Sequence, residues 1–171
     1  LHTEYYDNGQ IEREWNYKDG KFDGKFIGWY ENGQISSETT YKDGKREGKW
    51  TYWYENGQKL QEQNYIDDKF DGKWTQWYEN GQKEKDEYWK DDNRVGKVTT
   101  WYENGQKKSE RIWKDGKPDG KETRWFDNGK KTDVNDIDVD EDWEWEDDPF
   151  KLYGLTDDER SLGRDFWNEI L

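Results

Sequence analysis

Aromatic and polar residues recur along this chain with one fixed period. The segment Trp-Tyr-Glu-Asn-Gly-Gln is found four times, with one variant before and one after these copies, at 29–34, 53–58, 77–82, 101–106, 5–10 and 125–130. The glycines of the six copies stand at positions 9, 33, 57, 81, 105 and 129, an even spacing without insertion or deletion. Such regularity predicts one small structural unit that is repeated along the chain.

Each copy has an Asn-Gly pair between two runs rich in aromatic and β-branched residues. This combination is typical of a β-hairpin closed by a two-residue type I′ turn, because both central residues of that turn need positive φ. A two-residue loop would place Glu31 opposite Gln34 and Tyr30 opposite Ile35.

A second turn signal lies halfway between the Asn-Gly pairs. It reads KDGKFDGK at 18–25 and recurs in related forms at 42–49, 67–73, 91–97 and 114–121. Asp-Gly followed by another glycine four residues later predicts a longer, partly left-handed connection between successive hairpins. Two short strands per repeat then give an all-β fold, an elongated single-layer antiparallel β-meander of about eleven short strands.

Alternation along the strands assigns side chains to the two faces of this sheet. One face is expected to carry a row of tryptophans beside a row of acids, namely Trp29, Trp53, Trp77, Trp101 and Trp125 near Glu38, Glu62, Asp86 and Glu110. The other face is expected to carry Tyr30, Tyr54, Tyr78, Tyr102 and Phe126 with Tyr41, Tyr65, Trp89 and Trp113. The acids recur in every repeat, so we expect a structural ladder against neighbouring Lys or Thr side chains.

The composition indicates that aromatic residues form most of the hydrophobic core. Only 28% of the 171 residues are hydrophobic and 41% are charged, yet 13 Trp, 12 Tyr and 6 Phe are present. We therefore expect an ordered protein with a thin core in which rings supply the apolar area. The absence of Cys excludes disulfides, and no apolar run is long enough to cross a bilayer. The absence of such a run favours a soluble protein. The absence of cysteine leaves the compartment open, with the cytoplasm slightly favoured over secretion.

The composition changes after Lys131, which divides the chain into a repeat domain, 1–131, and a second segment, 132–171. The second segment contains 15 Asp and Glu against 3 Lys and Arg. Its first part alternates acids with apolar residues, as an edge strand or an acidic strap would. Thr156 and Glu159 form a capping box, which predicts a C-terminal helix over 157–169 that covers the open end or one face of the sheet.

The repeated hairpin followed by KDGK-x-DGK resembles the bacterial variant of the MORN repeat, as found in proteins of the YwqK antitoxin family. The resemblance covers about residues 4–131. It implies an elongated β-meander that serves as an interaction scaffold, and an antitoxin or immunity role. In place of the His-Gly pair of the eukaryotic MORN unit, this chain has residues such as Asp23 and Glu47 before glycine.

The residues offer little for catalysis. His2 is the only histidine, there is no cysteine, and no serine lies in a nucleophile elbow. We therefore expect no enzyme activity and no cofactor. The acids from Asp133 to Asp140 have oxygen ligands that suit calcium, but they lack the glycine and the bidentate glutamate of an EF-hand, so we expect no metal site.

Binding to another protein is the function that the sequence favours. Tryptophan and tyrosine are enriched at interface hot spots, and the acids of the tail can attract a basic toxin or effector. The predicted contact residues are Trp29, Trp53, Trp77, Trp101, Trp125, Asp140, Glu141 and Asp142. A net charge of −14 argues against nucleic acid as partner. A cell-surface carbohydrate-binding module that uses the tryptophan and tyrosine ladder is the alternative.

Overall fold

The computed structural model describes residues 1–132. The strands of this part are β1 His2–Tyr5, β2 Ile11–Lys18, β3 Lys21–Trp29, β4 Ile35–Lys42, β5 Lys45–Arg46, β6 Gly48–Trp53, β7 Lys59–Ile66, β8 Lys69–Phe70, β9 Gly72–Trp77, β10 Lys83–Lys90, β11 Asn93–Trp101, β12 Lys107–Lys114, β13 Lys117–Trp125 and β14 Lys131–Thr132. The predicted C-terminal helix, the segment 133–171 and the acids Asp140, Glu141 and Asp142 lie outside the described residues.

The described strands form one antiparallel sheet in which chain neighbours are sheet neighbours. This arrangement confirms the all-β meander. The short strands β5 and β8 pair with β4 and β7 beside the main path of the sheet. Because every described strand belongs to the same sheet, no second layer covers either face within residues 1–132.

The prediction of about eleven strands was wrong, since the structure has fourteen in its described part. Two of the extra strands arise where a strand is interrupted near the second turn signal. Glu47 N donates to Thr40 O at 3.0 Å, and Asp71 N donates to Asn64 O at 3.1 Å, so the chain bulges out of the ladder at these residues. The equivalent strands β3, β11 and β13 run through without a break.

The type I′ geometry occurs at the Lys-Asp-Gly-Lys turns rather than at the Asn-Gly turns. Lys18 pairs with Lys21, and the two residues between them, Asp19 and Gly20, have φ of 50° and 74°. Positive φ at both central residues of a two-residue loop is the signature of that turn. The expectation of a longer connection here was therefore wrong, although the left-handed backbone is present.

The Asn-Gly loops have three residues, so the predicted pairing of Tyr30 with Ile35 was wrong. Gly33 N donates to Tyr30 O at 2.9 Å, and Tyr30 N donates to Gln34 O at 2.8 Å. Of the loop residues only Gly33 has positive φ, at 83°. Asn32 instead accepts from Gln34 N through its side chain at 2.9 Å. This is a type I turn followed by a glycine bulge.

Despite this change, the tryptophans and acids share a face as expected. Trp29 pairs with Ile35, and the ladder shifts by one residue between Gly28 and Trp29. Trp53 lines one depression together with Glu38 and Glu62. We call this side of the sheet, defined by Trp29, Trp53, Trp77, Trp101 and Trp125, the tryptophan face.

The tyrosines before the Asn-Gly loops have a role that the face assignment did not foresee. The phenol of Tyr30 donates to the carbonyl of Trp53, one repeat further along the chain, at 2.6 Å. Four other tyrosines make the same bond to the tryptophan of the following repeat, namely Tyr6, Tyr54, Tyr78 and Tyr102. These bonds tie each hairpin to the next one.

The core of the sheet lies on the opposite side, which we call the ladder face. Rings in contact, with centroids 4.6 to 6.0 Å apart, run across it in the order Trp15, Phe26, Phe22, Tyr41, Trp50, Tyr65, Phe70 and Trp89. Trp50 and Tyr65 are buried, with 7% and 3% of their surface exposed. Cross-strand ring contacts thus replace an aliphatic core.

Within residues 1–132, the structure shows no helix long and apolar enough to span a membrane.

Candidate partner-binding surfaces

The five predicted tryptophan contacts stand in one row at the loop ends of their strands. All five side chains are half-buried, so part of each ring remains open to solvent. The depression around one of them is lined by Glu38, Thr40, Lys49, Thr51, Trp53, Lys59 and Glu62. A half-exposed ring flanked by charged and hydroxyl groups is a surface that offers both apolar area and hydrogen bonds to a partner.

Lysines of the tryptophan face cover the next tryptophan in the row. Lys59 Nζ lies 5.5 Å from the ring centroid of Trp77. The same distance separates Lys83 from Trp101 and Lys107 from Trp125. Such cation–π contacts contribute about 0.5–1 kcal/mol each at exposed sites. They hold the tryptophans in a fixed orientation from one repeat to the next.

The acids of this face form a ladder against lysines, as the sequence predicted. Glu62 lies 3.0 Å from Lys49 Nζ and 2.7 Å from Lys59 Nζ. Partial burial alone would raise the pKa of Glu62, but the hydrogen bonds from these two lysines outweigh it and lower the pKa. The carboxylate therefore remains ionised and paired, which suits a structural role.

Two further acids repeat this arrangement. Asp86 contacts Lys73 and Lys83 at 3.2 and 2.7 Å. Glu110 contacts Lys97 and Lys107 at 3.0 and 2.9 Å. Hydrogen bonding from Lys107 is the largest cause of the lowered pKa of Glu110. Three successive repeats thus carry the same ion triad.

The ladder face contains a charged cluster that sequence analysis missed. Glu87 is only 3% exposed. Its Oε2 lies 2.9 Å from Arg94 Nε and 3.0 Å from Lys85 Nζ, while its Oε1 accepts from Trp89 Nε1 at 3.0 Å. The Nε–H of Arg94 does not point at this oxygen, so their contact is an ion pair rather than a hydrogen bond. Buried acids are rare in folded proteins unless they are paired in this way.

A signal for this cluster was present in the sequence. The corresponding position of each repeat is occupied by a different residue type, in the order Trp15, Thr39, Gln63, Glu87 and Arg111. All five side chains are buried or half-buried in the structure. At this position the residue type changes from aromatic in the first repeat to ionic in the fourth and fifth. The repeats are therefore not equivalent there.

The repeated unit is also found by a comparison with known families. The family model of the MORN repeat variant matches residues 1–19, 22–43, 46–67, 70–91 and 94–115. The chain belongs to this family. No curated protein matches it. The last hairpin of this MORN-repeat chain, β13 with β14, lies beyond the five matched repeats.

Within the MORN array the two faces differ in how strictly they repeat. The tryptophan face has Trp at five equivalent positions, Lys at 25, 49, 73, 97 and 121, and an acid at 14, 38, 62, 86 and 110. The ladder face changes its residues at most equivalent positions. In the described part of the chain, no group of His, Cys, Asp or Glu side chains is arranged to hold a metal ion.

Proposed function

We propose that this MORN-repeat chain is a non-catalytic scaffold that binds another protein through an aromatic face of its sheet. The observation that carries this proposal is the row of five half-exposed tryptophans on a face that no other element of residues 1–132 covers. Large apolar side chains that keep part of their surface in solvent and are rimmed by polar groups are typical of a partner surface. Trp53, Trp77 and Trp101 stand in the middle of the row, where hot-spot residues cluster.

The specific version of the proposal is a bacterial antitoxin or immunity protein that neutralises a basic toxin or effector. Its support is the sequence resemblance to the YwqK antitoxin family and the net charge of −12 in segment 132–171, from 15 acids and 3 bases. Asp140, Glu141 and Asp142 belong to that segment and would accelerate the encounter with a basic partner. Affinity that falls as salt rises is then expected.

The test starts with capture of proteins from a lysate of the source organism by the immobilised full chain, at low and high salt. The captured protein is identified by mass spectrometry, purified and titrated against the full chain by calorimetry. We expect Trp77→Ala to weaken binding at least tenfold, since central interface aromatics often contribute about 2 kcal/mol or more. Circular dichroism checks that each variant is folded.

Tyr17→Ala is the matched control, because Tyr17 is an exposed aromatic residue of the ladder face. It should leave the affinity unchanged. Equal losses in both variants would contradict the assignment of the tryptophan face. If no captured protein binds the purified chain, the scaffold proposal fails.

A carbohydrate-binding module is the second candidate, and the depression around Trp53 favours it. The ring lies among the hydroxyls of Thr40 and Thr51 and the charges of Glu62 and Lys59. A ring with polar groups at its rim suits the apolar face and the hydroxyls of a sugar. Glycan binding that is lost in Trp53→Ala but unaffected by salt, or by neutralisation of the acids at 140–142, would favour this candidate.

A further inference from the structure

On the ladder face, the fourth repeat supplies a hydrogen-bond acceptor for a buried indole and a counter-charge for two cations. The carboxylate of Glu87 takes a hydrogen bond from Trp89 Nε1 and stands against Arg94 Nε and Lys85 Nζ, at 3.0, 2.9 and 3.0 Å. The guanidinium of Arg94 also lies 5.1 Å from the ring centroid of Trp89. One buried carboxylate thus faces an indole and two cations.

One repeat further along, the same positions lack the acceptor. Arg111 and Trp113 occupy in the fifth repeat the positions that Glu87 and Trp89 occupy in the fourth. The change replaces a carboxylate by a guanidinium. Arg111 Nε and Trp113 Nε1 are consequently buried without a hydrogen-bond partner in the part of the chain that the structure describes. Buried donors left without an acceptor are rare in folded proteins and call for an explanation.

Two charged side chains on the neighbouring strands already have partners of their own. The guanidinium of Arg94 lies 4.4 Å from the ring centroid of Trp113, but its own partner is Glu87. Glu122 pairs with Arg124 at 2.9 Å. Arg111 has no ion pair with any residue of 1–132. The fifth repeat therefore combines an unpaired guanidinium with an indole N–H whose acceptor is missing.

We propose that a carboxylate side chain of the protein partner binds at Arg111 and Trp113, in the place that Glu87 holds in the preceding repeat. The inference rests on the proposed scaffold function and adds a second, ladder-face contact of defined chemistry. Both side chains are half-buried, so each keeps part of its surface at the face of the sheet beside its buried donor. A carboxylate is the expected group because the chain itself uses one at the equivalent position. Arg can hold a carboxylate through two parallel N–H···O bonds, which makes such a contact strong and directional.

The test is a titration of the ¹⁵N-labelled full chain with a capped hexapeptide of glutamate, followed by NMR at physiological salt. We expect a saturable shift of the Trp113 indole and Arg111 Nε–H resonances, which Trp113→Phe and Arg111→Gln assign by their loss. The Trp113 response should weaken at least about tenfold in Arg111→Gln, as for loss of a charge-assisted contact. A capped glutamine hexapeptide should give no response.

Lys114→Gln is the matched control, because it removes one positive charge from the same strand at an exposed position. It should leave the response unchanged. An unshifted Trp113 resonance, or a response that survives Arg111→Gln, would overturn the proposal. A phosphoserine peptide that shifts the same resonances at lower concentration than the glutamate peptide would overturn the choice of carboxylate.

A second variant tests the geometry without any ligand. Arg111→Glu places a carboxylate beside Trp113 as Glu87 stands beside Trp89, so the free variant should show the Trp113 indole at the position reached with peptide. An indole resonance that stays at its original position contradicts the proposed acceptor site.

The two proposals can fail separately. Partner binding that is unaffected by Arg111→Gln, with no peptide response, would remove only the ladder-face contact. A peptide response without any protein partner would leave a carboxylate site and remove the scaffold function. Trp77→Ala should retain the peptide response, since Trp77 belongs to the tryptophan face.

Discussion

The two faces of the sheet are made by the same strands, but they differ in how strictly the repeat is kept. On the tryptophan face, three lysines each contact the tryptophan of the next repeat, and three acids each pair with two lysines. On the ladder face, the central position changes from Trp15 through Gln63 to Arg111. A contact that joins each repeat to the next needs the same residues in every repeat. A site that occurs only once needs residues that differ from those at the equivalent positions of the other repeats.

The same comparison separates two sources of stability. The tryptophan face couples neighbouring repeats through cation–π contacts and the tyrosine bonds at its edge, as expected for an array in which each unit contacts only its neighbours. Its ion triads each lie within one repeat. The ladder face holds the buried rings of Trp50 and Tyr65, within the row of ring contacts from Trp15 to Trp89. Substitutions on the two faces should therefore lower the free energy of unfolding by different amounts.

The largest loss of stability is expected when an aromatic ring of the ladder face is removed. Trp50 lies 5.0 Å from the rings of both Tyr41 and Tyr65, and its indole donates to Thr40 O at 2.9 Å. Trp50→Ala should lower the free energy of unfolding by about 3–5 kcal/mol. Urea denaturation measures this decrease in the free energy of unfolding. Trp53→Ala is the control on the other face, and an equal loss there would contradict the division between the faces.

Removal of the buried acid comes next. Glu87→Gln leaves Lys85 and Arg94 without a counter-charge in a buried site, and breaking such a pair costs about 3 kcal/mol. Thermal unfolding at neutral pH measures this loss. The additional change of Arg94 to Met should recover part of the stability, and no recovery would show that the ion pair is not the cause.

A smaller effect is expected from a single tyrosine bond between hairpins. Tyr54→Phe removes the hydrogen bond from the phenol to Trp77 O, which is 2.9 Å long. Loss of a neutral hydrogen bond costs about 1 kcal/mol. The measurement is urea denaturation, with Tyr17→Phe as the control because Tyr17 lies outside this series. Equal stabilities of the two variants would show that the bond between hairpins contributes nothing.

The smallest effect concerns one acid of the tryptophan face and its pH dependence. The folded pKa of Glu62 is lowered, so its contribution is present above the ordinary glutamate pKa of about 4.3 and is lost as pH falls through the folded value. Glu62→Gln should cost less than about 1 kcal/mol at pH 7, because such partly exposed pairs are screened. The difference from the unchanged chain should shrink in denaturation curves recorded at lower pH, and a growing difference would contradict the assigned direction.

Much of the fold was predictable because it follows from local patterns repeated many times. The interval between glycines and the alternation around Trp53 predicted the meander and the row of tryptophans. The turn types were not predictable by the same means. Asn32 satisfies the backbone with its own side chain in a type I turn, while the Asp residues at 67–68 and 91–92 adopt positive φ without any glycine.

The sequence by itself determined the repeating unit, the strand order and the family, since these depend on periodicity and on glycine positions. Only the tertiary structure decided which side chains meet across repeats. Glu87 of β10 reaches Arg94 of β11 because the turn between these strands and the bulge between Asp86 and Tyr88 set their register. Cross-strand register fixes such contacts, and a shift of one residue reverses the faces. The paired acid in one repeat and the unpaired Arg111 in the next therefore became visible only in the folded sheet.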